Sequence, residues 1–250
     1  METNLFRKLR DFLYYGECAV CKLRLDDVKD DCLCPHCREK WDNETKNADL
    51  GRKLIPAAPL SSLSFLSLYR THENNIARDL ILSQKDYDSP AVNRFLAREI
   101  SKILTNNLTD VGVDTVVCSV VRSKANIVDK GFNQAESLGR CVAKELSLRY
   151  VDALKYVGNN TVQHGLSPDE RWKNAAKSYA INEYAISELS CRKVIIVDDV
   201  YTTGATLSSC AAILKKYGAR RVDGAVVAIS YPNVFDEKTG EPFPNEPLFY

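Results

Sequence analysis

Apolar residues in the second half of the chain form short unbroken runs that alternate with helical patterns. The runs occupy residues 113–121, 194–197 and 221–229, and helical spacing recurs at 135–146 and 205–217. Unbroken runs of this length are typical of strands that are covered on both faces. The alternation of strand and helix predicts an α/β domain built on a parallel sheet with right-handed crossovers.

The first half of the chain has a looser pattern, which predicts a strand near 65–69 and helices at 76–82 and 91–104. An apolar stripe at 5–13 has the spacing of an amphipathic helix, and such a stripe packs on its own protein more often than on a membrane. The last twenty residues hold four prolines without periodicity, which is typical of an irregular tail. We therefore predict three parts, a small N-terminal module at 1–55, an α/β domain at 56–230 and a C-terminal tail at 231–250.

Polar side chains follow the second apolar run in a particular order. Two carboxylates come first, and a loop of small residues then opens a helix. The residues are Asp198, Asp199, Thr202, Thr203, Gly204, Ala205 and Thr206. Carboxylates at the carboxyl end of a buried parallel strand lie where α/β sheets bind ligands, and a helix N-terminus with free N–H groups suits an anion. Together they fit a phosphorylated ribose, whereas the alternative is that these residues serve only as turn and cap residues.

Two C-x-x-C pairs, separated by twelve residues, lie near the N-terminus. They are formed by Cys18, Cys21, Cys34 and Cys37. Two such turns aim four thiolates at one point and complete a tetrahedral zinc site of the structural type. A redox pair would instead need one C-x-x-C near a βαβ unit. Cys32 is a spare that could replace Cys34, and the four remaining cysteines occur singly, as small core residues do.

The charge and hydropathy of the chain limit which partners it can bind and in which cellular compartment we expect it. The formal net charge is only +1, so a polyanion would have to be bound by local charge. No stretch approaches the roughly 18 apolar residues of a membrane span, and the N-terminus lacks the apolar region of a secretory signal. We therefore expect a cytoplasmic protein without a membrane span, in which cysteines stay reduced.

A nucleic-acid contact within the N-terminal module would also have to be local. Residues 1–53 carry eleven basic and eleven acidic side chains, and four aspartates make the segment between the two cysteine pairs a poor DNA contact. Arg38, Lys40 and Trp41 are a better candidate, because an aromatic side chain among basic ones can stack on single-stranded bases. Alternatively, Trp41 packs the module against the next domain.

The loop at 198–206 resembles the ribose-phosphate signature of the type I phosphoribosyltransferases. The resemblance assigns Asp198 and Asp199 to the 2′- and 3′-hydroxyls of ribose, and the residues from Thr202 to Thr206 to its 5′-phosphate. Two further segments are the run KGFNQAE at 130–136 and a pattern formed by Gln163, Leu166, Arg171 and Asn174. With the cysteine pairs, they make residues from about 14 to 230 similar to the ComF family of competence-associated phosphoribosyltransferase-like proteins.

This resemblance implies a type I phosphoribosyltransferase-like domain that binds phosphoribosyl pyrophosphate with Mg²⁺ or a nucleotide, beside a structural Zn²⁺. It also implies a protein that handles incoming single-stranded DNA beside a DNA-uptake helicase. The alternative is a nucleobase phosphoribosyltransferase of nucleotide salvage. That enzyme needs a general acid or base, and none of His36, His72 and His164 adjoins a motif carboxylate.

The chain departs from the ComF pattern at two points. Residues 118–121 stand where the family usually has P-V-P-L, a turn that helps type I enzymes hold pyrophosphate, and Lys130 replaces an arginine. Arg122 and Lys124 lie close by in the sequence and can meet the charge of a diphosphate. The sequence assigns no residue to catalysis.

Overall fold

The computed structural model of the chain describes residues 16–25, 32–46, 53–54, 59–70, 75–86, 89–108, 110–123, 132–158 and 177–231. Several sequence predictions lie outside these residues. They are the amphipathic helix at 5–13, the acidic segment at 26–31, Lys124, Lys130, the pattern from Gln163 to Asn174 and the tail after residue 231.

Six strands form one mainly parallel sheet. In the order of their neighbours these are β1 (Lys53–Leu54), β2 (Ser62–Arg70), β8 (Arg221–Tyr231), β7 (Lys193–Tyr201), β3 (Thr115–Ser119) and β4 (Arg149–Tyr150). Only β1 runs antiparallel to its neighbour. A separate antiparallel ribbon joins β5 (Leu154–Tyr156) to β6 (Tyr179–Ile181). The predicted parallel α/β sheet is confirmed.

Six helices accompany these strands in the described part of the chain. They are α1 (Pro35–Lys46), α2 (Ile76–Asp86), α3 (Pro90–Asn107), α4 (Gln134–Glu145), α5 (Ile186–Leu189) and α6 (Ala205–Lys216). Helix α3 begins where the hydroxyl of Ser89 accepts the N–H of Val92 at 3.4 Å and Pro90 takes the first helical position. Gly218, with φ at +101°, lies just past the end of α6, where a left-handed glycine commonly closes a helix.

The central strands β3 and β7 have continuously apolar sequences because they are buried inside the sheet. Strand β3 is buried along its whole length, and β7 is buried from Val194 to Asp198, because protein covers both faces of the sheet. One face packs against α2, α3 and α4, and the other packs against α6 and the β5–β6 ribbon. The predicted strand at 113–121 was too long at its start, since Val113 is 97% exposed and pairing begins at Thr115.

Trp41 joins the N-terminal module to the α/β domain. Its side chain is completely buried and meets the ring of Phe95 edge to face, with ring centroids 5.1 Å apart. The guanidinium of Arg38 lies 4.7 Å from the centroid of the same Phe95 ring, and Glu44 accepts the N–H of Ile76 at 2.7 Å. The prediction that Trp41 stacks on DNA bases is therefore wrong. The alternative, that Trp41 packs the module against the next domain, is confirmed. Its ring lies in a hydrophobic core that α1 shares with α2 and α3.

Candidate functional site

The two aspartates of the predicted site lie in the part of β7 that extends beyond its neighbour β3. The pairing of β3 with β7 ends at Ser119 and Val197, whereas the pairing of β7 with β8 continues to Tyr201 and Ile229. Asp198 and Asp199 thus belong to the strand itself rather than to the loop after it. Among the described strands, none pairs with this side of β7 at the level of the two aspartates, which therefore lie at the carboxyl edge of the sheet, where α/β proteins bind ligands.

Asp198 and Asp199 have different surroundings. Asp198 is only 9% exposed, and its carboxylate accepts the N–H of Asp199 at 2.9 Å. Burial raises the pKa of the Asp198 carboxyl well above its ordinary range, and the adjacent charge of Asp199 raises this pKa further. Asp199 instead forms a 2.6 Å ion pair with Arg122, while its second oxygen accepts the N–H of Val200 at 2.9 Å. Of the two carboxylates, Asp198 is therefore the one whose negative charge is less well compensated by neighbouring groups.

A tight turn connects the aspartates to helix α6. Gly204 has φ at +76°, a left-handed conformation that strains other residues, and a β-carbon there would collide with the ring of Tyr201. The hydroxyl of Thr203 accepts the N–H of Ala205 at 3.4 Å, and the side chain of Thr202 is exposed. The first N–H groups of α6 and these threonine hydroxyls therefore lie next to two carboxylates, as the sequence predicted.

The segment KGFNQAE is described only from Phe132 onward, and its end starts helix α4. Asn133 donates from its amide to the carbonyl of Val120 at 3.3 Å, which fixes this helix start beside the carboxyl end of β3. The buried amide of Gln134 has no hydrogen-bond partner for its nitrogen or its oxygen among the described residues. The motif thus borders the same edge of the sheet as Asp198 and Asp199.

Sequence reasoning missed two tyrosines that border this edge. The hydroxyl of Tyr150 lies 2.6 Å from the hydroxyl of Ser119, the last residue of β3. Tyr179 packs its ring against Tyr156 at a centroid distance of 5.6 Å, on a ribbon that contacts α6. No local signal predicts these contacts, because the pairs are separated by 31 and by more than 20 residues in sequence.

The four predicted metal ligands come together in the N-terminal module. The sulfur atoms of Cys18, Cys21, Cys34 and Cys37 all lie within 4.8 Å of one another, and those of Cys21 and Cys34 are 3.5 Å apart. Cys32 is not one of the four, and the side chain of His36 is exposed. The first pair sits in a compact turn in which Lys22 has φ at +62° and donates its N–H to the carbonyl of Cys18.

The thiols of this cluster lie so close together that each affects the pKa of its neighbours. Burial would raise the pKa of Cys18, but hydrogen bonds from the backbone of Cys34, Cys21 and Val20 outweigh it and lower this pKa to about 7. Burial and the neighbouring thiols raise the pKa of Cys37. Four sulfur ligands with no open position suit a tetrahedral metal ion of the structural type, and a divalent cation would remove the repulsion among the thiolates.

A cavity of about 550 Å³ lies at the opposite, amino-terminal edge of the sheet. It is lined by Ser61, Asp110, Lys193, Arg220 and Arg221. Its cations are already paired: Lys193 with Asp110 at 2.5 Å, Arg221 with Asp223 at 2.7 Å, and Arg220 with Asp114. This network is a structural one, and we assign the candidate ligand site to the carboxyl edge despite the size of this cavity.

Comparison with known proteins agrees with this fold. The phosphoribosyl transferase domain family matches residues 92–243. DNA utilization protein YhgH of Escherichia coli strain K12 is 25% identical over 210 residues, which cover 84% of this chain and 88% of that relative. Competence protein F of Haemophilus influenzae is 31% identical over 94 residues, which cover 37% of this chain and 41% of that relative.

Among solved structures, the chain is similar to adenine phosphoribosyltransferase from Saccharomyces cerevisiae. The TM-score is 0.38 at 17% identity, over 58% of this chain and 72% of that one. The parallel sheet and the matched domain define a type I phosphoribosyltransferase-like protein. Within that class, the chain belongs to the ComF family of competence-associated proteins, as its motifs predicted. No helix in the described part of the chain is long and apolar enough to cross a membrane.

Proposed function

We propose that this protein binds phosphoribosyl pyrophosphate, or a nucleotide, through Asp198, Asp199 and the loop from Thr202 to Thr206. The aspartates accept the hydroxyls of the ribose, and the loop with the start of α6 donates to its 5′-phosphate. We further propose that the four-cysteine cluster holds Zn²⁺, and that the protein handles single-stranded DNA in the cytoplasm beside a DNA-uptake helicase.

One observation supports the ligand site above all others. Asp198 is buried with a raised pKa, and among the described residues it has no cation in direct contact. A buried carboxyl that lacks a charged partner destabilises the fold, and a sugar hydroxyl or a cation arriving with the ligand would relieve this cost. Mg²⁺ prefers carboxylate and phosphate oxygens, so we expect it to accompany the diphosphate here.

The DNA part of the proposal is supported by the relatives, whose names refer to DNA utilization and competence. The net charge of +1 requires that DNA contacts be concentrated. Arg122 at the carboxyl edge and the exposed Lys40 of the N-terminal module are described candidates, and Lys124 and Lys130 are candidates outside the described residues.

A calorimetric titration with phosphoribosyl pyrophosphate and Mg²⁺ tests the pocket. Thr203→Val removes a hydroxyl from the loop and should weaken binding by about 1.5–3 kcal/mol, the range for hydrogen bonds to charged groups. Thr105→Val is the matched control, because the Thr105 hydroxyl donates to the carbonyl of Ser101 within α3. An unchanged affinity in Thr203→Val would rule out this loop as the phosphate site.

A salt titration of binding to a labelled single-stranded oligonucleotide tests the DNA proposal. Each phosphate contact adds about 0.7 to the slope of log affinity against log salt. Charge reversal at Lys124 and Lys130 should lower both the affinity and this slope, whereas Lys102→Glu on α3 should change neither. Absence of DNA binding at low salt, together with nucleotide formation from a free base, would instead favour the salvage enzyme.

A further inference from the structure

Four cations gather at the amino-terminal edge of the sheet, where helix α6 ends and where β7 and β8 begin. We call them the basic patch, and they are Arg192, Lys215, Lys216 and Arg220. Hydrogen bonds join them, since Nζ of Lys215 donates to the carbonyl of Arg220 at 2.7 Å and the N–H of Arg220 donates to the carbonyl of Arg192 at 2.8 Å. Three of the four residues are exposed and Arg192 is half-buried, so the patch faces solvent.

The charge of this patch is poorly compensated within the fold. Asp114 pairs with Arg220, but no carboxylate in the described part of the chain pairs with the other three cations. Arg192 instead donates from Nη1 to the carbonyl of Val113 at 3.2 Å. With four cations and one carboxylate, the patch has three positive charges in excess, whereas the whole chain has a formal net charge of only +1. Positive charge is thus concentrated here, and the rest of the chain is net negative.

A structural role explains these cations only in part. Lysines in the last turn of α6 interact favourably with the helix macrodipole. The adjacent cavity shows how this edge compensates a cation that serves the fold, because Lys193 there is paired with Asp110 at 2.5 Å. Glu188, the acid nearest to Arg192 in sequence, is already paired with Arg149 at 2.8 Å. The excess charge of the basic patch would therefore be balanced by a polyanion from outside the fold.

An aromatic ring and an apolar side chain lie among these charges. Nζ of Lys216 is 5.7 Å from the centroid of the Tyr217 ring, and Tyr217 is half-buried. Val113, whose carbonyl Arg192 contacts, is 97% exposed. Unpaired bases stack on rings of this kind while neighbouring cations follow the phosphates, a mode that tolerates any sequence. Because the bases of a duplex are already stacked on one another, this combination favours a single strand.

The basic patch is separate from the proposed ligand pocket. Arg192 immediately precedes β7, and Asp198 lies towards the other end of this strand, about 20 Å further along an extended chain. A nucleic acid on the patch would leave the pocket open. One that is held by Arg122 would instead cross the pocket, because Arg122 is paired with Asp199.

We infer that the basic patch is a docking surface for the phosphate backbone of a single-stranded nucleic acid, and that it holds the strand whether or not the ligand pocket is filled. The class of partner rests on the proposed function, but the surface is a different one. The protein would then bind its nucleotide ligand at the carboxyl edge of the sheet and a nucleic acid at the amino edge.

The test is a salt series of binding between the full-length protein and labelled oligothymidylate, with and without saturating phosphoribosyl pyrophosphate and Mg²⁺. Reversing both lysines, Lys215→Glu with Lys216→Glu, should weaken binding at low salt at least about tenfold. The slope of log affinity against log salt should fall by about 1.4, for two phosphate contacts. This loss should be equal with and without the ligand, because the two surfaces are far apart. Lys216→Gln should show a smaller loss in the same direction and serves if the double variant is less stable.

Two measurements test the choice of a single strand. Tyr217→Leu keeps an apolar contact with the core beneath α6 and should lower the affinity about fivefold without changing the salt slope, since a stacked base is lost and no charge. A duplex of the same length should bind more weakly than the single strand. Equal affinity for the duplex, with no effect of Tyr217→Leu, would overturn the choice of partner.

Lys102→Glu is the matched control, because it reverses an exposed lysine on α3, away from the patch. It should change neither the affinity nor the slope. Undiminished binding in the double variant would overturn the inference and leave the proposed function standing, and so would complete displacement of the oligonucleotide by phosphoribosyl pyrophosphate. If the unmodified protein does not bind the oligonucleotide at low salt, the DNA part of the proposed function fails and the inference with it.

Discussion

Asp223 and Asp198 are two buried aspartates on neighbouring strands of one sheet, and they are compensated in different ways. Asp223, on β8, accepts the hydroxyl of Ser62 at 2.6 Å and pairs with Arg221 at 2.7 Å. Asp198, on β7, accepts one backbone N–H, next to a second carboxylate. The first has its partners within the fold. The Asp198 carboxylate has so few stabilising partners within the fold that a bound ligand would stabilise it further.

The difference between these aspartates distinguishes a charged group that stabilises the fold from one that is available to bind a ligand. A buried ion that serves the fold is paired and hydrogen-bonded, whereas perturbed groups at an open edge of a sheet are typical of functional sites. The cysteine cluster is a third case, in which four thiols, three of them buried, crowd together and would be stabilised by a resident cation. Breaking a structural site should therefore lower stability, and breaking the ligand site should not.

The largest effect that we expect comes from the cysteine cluster. Cys37→Ser should lower the free energy of unfolding by several kcal/mol, because metal binding and folding are coupled and the cysteines share a core with α2 and α3. The melting temperature should fall by about 10 °C or more. The matched control is Cys191→Ser, which changes an exposed cysteine outside the cluster. Elemental analysis should find one zinc per chain, and a chain without stoichiometric metal after purification without chelator would contradict the zinc assignment.

A smaller loss of stability should follow when Asp223 loses its charge. Asp223→Ala leaves Arg221 and Ser62 without their buried partner, which should cost about 2–3 kcal/mol of unfolding free energy, since Arg221 remains partly exposed to water. Chemical denaturation measures this loss directly. Equal stability of the variant and the unmodified protein would show that the buried ion pair of Asp223 with Arg221 does not stabilise the fold.

The smallest effect should have the opposite sign. Asp198→Asn keeps the acceptor for the N–H of Asp199 and removes the poorly compensated charge, so it should raise the free energy of unfolding by about 1 kcal/mol at neutral pH. A carboxyl whose pKa is higher in the folded state than in the unfolded one destabilises the protein as pH rises from about 4 through the folded pKa. The variant should lack this decline in a series of melts, and a variant that is less stable at neutral pH would contradict the comparison.

The sequence predicted the sheet, its central strands and the clustering of the four cysteines, because each signal was local. Apolar runs, C-x-x-C spacing and an acidic pair before a threonine-rich turn are all read within about twenty residues. The partners of these residues could not be predicted. The contacts of Trp41 with Phe95 and of Arg122 with Asp199 join segments 54 and 77 positions apart. Trp41 illustrates the cause, since an aromatic side chain among basic ones has the same local pattern whether it is exposed or buried.

The affinity of Asp198→Asn for phosphoribosyl pyrophosphate with Mg²⁺ tests the central claim most directly. If Asp198 is kept uncompensated for a ribose ligand, calorimetry should show that the variant binds this ligand at least about tenfold more weakly than the unmodified protein, a loss of about 1.4 kcal/mol, although the variant is the more stable of the two. Undiminished affinity in the stabilised variant would contradict the claim.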